Sequence, residues 1–91
     1  MSKKSDEFTR HVLRRLRLIE ERMRKVVKDI ENVSSELRAL YNYMMNHGEE
    51  GDADAIGVIE FDLNLALAQI NEILRELIAL EYEVTEDEQE E

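Results

Sequence analysis

Two apolar stripes, each advancing by alternating steps of three and four residues, run through most of the chain. The first passes through Val12, Leu16, Ile19, Met23, Val26, Ile30, Val33, Leu37, Leu40 and Met44. The second passes through Ile56, Ile59, Leu63, Ala66, Ile70, Ile73, Leu77, Leu80 and Val84. That spacing returns a side chain to the same side of an α-helix at every turn, so each stripe predicts a long amphipathic helix. The segment between them, Gly48-Glu49-Glu50-Gly51, predicts a turn.

Local chemistry sets the expected boundaries. Helix one is predicted over about residues 6–47, with Ser5 or Asp6 as its cap and Gly48 ending it in a left-handed conformation. The turn is predicted at 48–52, with Asp52 capping a second helix over about residues 53–84. Asn32-Val33-Ser34-Ser35 are weak helix formers, but the stripe keeps its phase through Ile30, Val33 and Leu37, so helix one is read as continuous. Residues 85–91 carry five carboxylates and no apolar side chain, and read as an acidic disordered tail.

Two long helices joined by a short link lie back to back. At about 1.5 Å per residue they span roughly 60 and 45 Å, so the start of helix one, with Phe8, Val12 and Leu13, is expected to overhang. Two helices enclose little core, and Leu67, Leu74 and Ile78 widen the apolar face of the second beyond one seam. Val58, Phe61 and Leu65 lie on its opposite side near the turn, towards Tyr41, Tyr43 and Met45. Burying each such side chain gains about 1.5–3 kcal/mol. The expected fold is therefore an all-α antiparallel hairpin that dimerises into a four-helix bundle or takes a heteromeric protein partner. Tyr41, Tyr43, Met45, Val58, Phe61 and Leu65 are the candidate partner contacts, since aromatic and methionine side chains are enriched at such surfaces.

Composition agrees with an all-α class: 91 residues, no proline and three glycines, too few turn formers for an all-β domain. Without cysteine there is no disulfide, thiolate zinc site or cysteine nucleophile. No apolar run approaches the roughly 18 residues of a membrane span, and the first residues lack the apolar core of a signal peptide, so the expectation is a soluble, cytoplasmic protein.

The net charge of −10 is unevenly placed. Residues 1–28 hold ten basic side chains against four acidic ones, a balance of +6. The other 63 residues hold two basic side chains against eighteen carboxylates, a balance of −16. Arg10, Arg14, Arg17, Arg24 and Lys28 recur at helical spacing opposite Leu16, Ile19 and Met23, and could follow a row of phosphates. The competing reading is a solvated face supported by Glu20–Arg24 and Glu21–Lys25 pairs. A tail leaving helix two beside this stripe could screen it and compete with an anionic partner.

Site chemistry is sparse. Asp52, Asp54 and Gly57 fall as in a calcium loop, but Ile56 and Leu63 occupy positions that need oxygen ligands. Glu7 and His11 share a face with no third ligand in view, so no metal or other cofactor is expected. No phosphate loop or nucleophile elbow occurs. The architecture looks like the helical chorismate mutases, but those need basic side chains inside the bundle, and here every arginine lies outside the stripes. The chain is read as non-catalytic, with no small-molecule substrate.

The hairpin layout and the acidic stretch Thr85 to Glu91 resemble small helical accessory subunits of archaeal replicative DNA polymerases, some of which carry an acidic C-terminal tail. That resemblance implies docking on a polymerase surface, with the tail modulating contact with DNA. The two functional expectations are thus an accessory or adaptor subunit acting through protein contacts, and a nucleic-acid-associated accessory protein using the basic stripe.

Overall fold

A computed structural model describes the backbone of residues 3–90 and the side chains of residues 6–86. Helix α1 spans Lys3–Asn46 and helix α2 spans Glu50–Glu90, packed against each other as an antiparallel hairpin. Its Cα trace measures 69 × 15 × 12 Å, the cross-section of one helix pair. Among the described residues there is no strand, and α1 runs unbroken through Asn32–Ser35.

The turn is tighter than the sequence suggests. Gly48 has φ +79°, its N–H donates to the Met45 carbonyl (3.2 Å), and the Glu49 N–H donates to the Met44 carbonyl (2.9 Å). These are the two bonds of a Schellman ending, which satisfies carbonyls the helix would otherwise leave open. Glu49 then accepts from the Ala53 N–H (3.0 Å), so Glu49 rather than Asp52 holds the cap position of α2. Asp52 instead joins Glu50 in the first turn, where carboxylates face the positive end of the helix dipole. Ala53 is fully buried, and its small side chain lets the helices approach closely just past the turn.

Four cross-helix neighbours fix the register: Arg17 with Glu81, Ser34 with Asn64, Arg38 with Glu60, and Tyr41 with Gly57, the two numbers of each pair adding to 98. A constant sum over this length means the helices stay in phase, as a seven-residue repeat requires of an antiparallel coiled coil. The repeat places Leu13, Glu20, Val27, Ser34 and Tyr41 of α1 at one seam position, and Leu16, Met23, Ile30, Leu37 and Met44 at the other. In α2 the corresponding rows are Ala53, Glu60, Leu67, Leu74, Glu81 and Ile56, Leu63, Ile70, Leu77, Val84. All of these side chains are buried or half-buried.

This seam is rotated from the one the apolar stripes predict. Five positions of each stripe lie in it, but Ile19, Val26, Val33 and Leu40 of α1 and Ile59, Ala66, Ile73 and Leu80 of α2 lie on its flank, exposed. The seam takes in Ser34, Glu60 and Glu81 instead, which find partners on the opposite helix, and Glu20, whose one partner is Arg24 of its own helix. The helices also cover more of each other than expected. Helix α2 continues to Glu90, where the sequence reading placed a disordered tail from Thr85, and the Thr85 hydroxyl donates to the Glu81 carbonyl (2.8 Å). This extra length removes the overhang at Leu13, which is 7% exposed.

Candidate interaction faces

The two flanks of the seam have opposite chemistry. One flank carries Arg10, Arg17, Arg24, Glu31 and Arg38 on α1, and Gly57, Asn64, Asn71, Ile78 and Thr85 on α2. Here polar seam residues are closed off by neighbours. Arg17 Nε donates to Glu81 Oε1 (3.1 Å), and Arg38 Nε donates to Glu60 Oε2 (3.0 Å). The Ser34 hydroxyl donates to Asn64 Oδ1 (3.3 Å). Both Arg–Glu bridges tie α1 to α2, with the carboxylates largely covered and the arginines exposed.

Glu20 is the least satisfied group on this side. Its side chain is 7% exposed; Oε1 accepts from Arg24 (3.4 Å), and Oε2 is buried without a hydrogen-bond partner. It lies in an open groove of about 380 Å³ with Arg17, Arg24, Ile78, Glu81, Tyr82 and Thr85. Arg17 and Arg24 are thus turned towards carboxylates, while Arg10 and Arg14 border a shallow depression with Glu7 and His11. Lys28 is exposed on the same side of α1. The basic stripe therefore exists as a row, with two of its five members engaged inside the hairpin. The side chains of 87–91, which would screen it, lie outside the described residues.

The other flank has no such closure. Ile19, Val26, Val33 and Leu40 of α1, with Ile59, Ile73 and Leu80 of α2, are each between 41% and 51% exposed. The register brings Ile19 within one residue of the level of Leu80, and likewise Val26 and Ile73, Val33 and Ala66, and Leu40 and Ile59. The result is a double apolar ridge along the length of the hairpin. A row of charges borders it: Arg15, Arg22, Asp29 and Glu36 on α1, and Asp62, Glu76 and Glu83 on α2, all exposed.

The six candidate contacts from the sequence do not form one patch. Tyr41 is half-buried in the seam, where its ring lies against Gly57; a methyl group there would come 3.5 Å from Tyr41 Cε2. Tyr43 is exposed at the turn end of the apolar ridge, stacked on His47 with ring centres 4.1 Å apart, and His47 Nδ1 donates to the Tyr43 carbonyl (2.8 Å). Val58 and Leu65 share the outer side of α2 with Phe61, pointing away from α1. Met45 is exposed on α1 near the turn. The sequence reading missed that the exposed ridge is a row in its own right, although its strict seven-residue spacing is visible in the chain.

Among the described residues no three His, Asp or Glu side chains converge as metal ligands, and no helix is long and apolar enough to cross a membrane. In comparisons with known proteins, no family model, no curated protein and no solved structure matches this chain.

Proposed function

We propose that this chain is a non-catalytic protein–protein interaction module, a small accessory or adaptor subunit that acts by dimerising into a four-helix bundle or by docking on a larger complex. The observation that supports this reading is the contrast between flanks. One is closed by ion pairs and a part-buried hydrogen bond, whereas the other leaves seven large aliphatic side chains half in water. A contiguous apolar surface of that kind costs solubility in a free protein and marks a place where another surface binds. The pattern also suits a bundle: a helix with two neighbours needs three apolar rows per repeat, where a two-stranded coil needs only two. Capture from native lysate tests the reading. Any partner, including the untagged chain itself, should survive nuclease and be lost when Ile19→Glu and Ile73→Glu are introduced into the bait. Capture unaffected by those changes would contradict it.

A second reading, contact with nucleic acid as an accessory protein of a DNA polymerase, draws on the exposed row Arg10, Arg14 and Lys28. It predicts DNA binding that weakens steeply with salt and is lost in Arg10→Glu/Arg14→Glu. The intrahelical and cross-helix pairing of Arg24 and Arg17 weighs against it.

A further inference from the structure

We infer that the apolar ridge is covered by a second copy of this chain, with the two turns at the same end of the assembly. This rests on the interaction-module reading and names its partner and geometry.

Size is the first argument. From Ile19 to Leu40 the ridge is about 30 Å long at 1.5 Å per residue, and two helices make it about 20 Å wide. Each copy would bury roughly 600 Å², about 1,200 Å² in all, which reaches the range of specific, stable interfaces. The closed flank offers no comparable apolar area.

Symmetry and charge give the orientation. A two-fold axis parallel to the helices sets α1 of one copy on α2 of the other and leaves every residue at its own height. The hairpin register then carries over between copies, and each apolar layer repeats itself across the interface. At the border, Arg15 meets Glu83 of the second copy and Arg22 meets Glu76 of the second copy, each contact occurring twice. Asp29 meets the neutral Gln69, and only Glu36 meets a like charge, Asp62. Turning the second copy end for end, with the ridges fully overlapped, stacks α1 on α1 and α2 on α2. That arrangement keeps only the attraction of Arg22 for Glu36, and it sets Asp29 against Asp29 and Asp62 against Glu76. Like charges facing one another at a border oppose association, so the first arrangement is favoured. It also lays Tyr43 over Ala55 of the second copy, covering one of the candidate contacts.

The chain has no cysteine, so single cysteines placed on the exposed border report the arrangement directly. Arg22→Cys mixed with Glu76→Cys should give a disulfide-linked pair on mild oxidation, and Arg22→Cys mixed with Glu36→Cys should not. Glu36→Lys should tighten the dimer about fivefold, by replacing a repulsion with a surface ion pair at two symmetric sites. In the end-for-end arrangement the same change would loosen it. A link between Arg22→Cys and Glu36→Cys, or a looser Glu36→Lys dimer, would overturn the orientation. Absence of both links from a chain that stays monomeric would overturn the second copy as partner. The interaction-module reading would then still stand or fall on its own capture experiment.

Discussion

The two flanks of the seam come from the same helices and the same repeat, yet one is finished and the other is not. On the finished side, carboxylates at seam positions are met by arginines from across the hairpin, and Ser34 meets Asn64. On the unfinished side the corresponding row is apolar from Ile19 to Leu40 and from Ile59 to Leu80, with Ala66 its one small member, and nothing in the hairpin covers it. Polar pairs can be completed within one chain at little cost. Apolar area can only be covered by more apolar area, which a two-helix chain lacks. The difference supports the proposal made above, that of a half-bundle with its register set internally and its core completed from outside.

The largest effect should come from breaking what both flanks share. Leu74, 9% exposed in the seam, cannot take a carboxylate without burying a charge. Leu74→Asp should therefore cost at least about 4 kcal/mol and abolish cooperative thermal unfolding followed by circular dichroism. Next is the one flaw in the finished flank. Glu20→Leu removes a buried carboxylate with an orphan oxygen and leaves Arg24 in water, so it should raise stability by about 1 kcal/mol in urea titrations. A loss there would mean that Glu20 is satisfied in solution by a group the hairpin does not supply.

Glycines give a smaller, opposed pair of tests. Gly57 is mid-helix, and a methyl group there makes ordinary van der Waals contact with Tyr41, so Gly57→Ala should gain about 0.5–1 kcal/mol. Gly48 holds φ +79°, so Gly48→Ala should lose about 1 kcal/mol despite open space around it. The smallest effect should be at the surface bridge. Arg38→Met leaves Glu60 with water access at the edge and should cost less than about 1 kcal/mol, shrinking further in high salt.

Much of this fold is legible in the chain. The helices, the glycine-ended turn and the continuity through Asn32–Ser35 follow from spacing and local chemistry, and the structure shows each of them. The seam itself is less legible, for a physical reason. Each helix has three adjacent rows that could face inwards, and a search for apolar residues selects the two richest. The hairpin buries a mixed row instead, because Glu60, Glu81 and Ser34 have partners at the right height on the opposite helix. Those partners are far away in sequence and become neighbours only once the register is known. The end of α2 was hidden similarly. The acidic stretch after Val84 reads as soluble tail, while glutamates are good helix formers and Thr85 lies half-buried in the structure. The open ridge was visible in part, as apolar positions with a seven-residue period, but only burial shows that they are left over.

Sedimentation of the full chain tests the half-bundle account most directly. At micromolar concentration the chain should sediment at about twice its 10.7 kDa mass, and Ile73→Glu should move it to the monomer mass. A folded, fully helical species of 10.7 kDa at every concentration, unchanged by Ile73→Glu, would mean that the ridge is not closed by a second copy and would contradict the account.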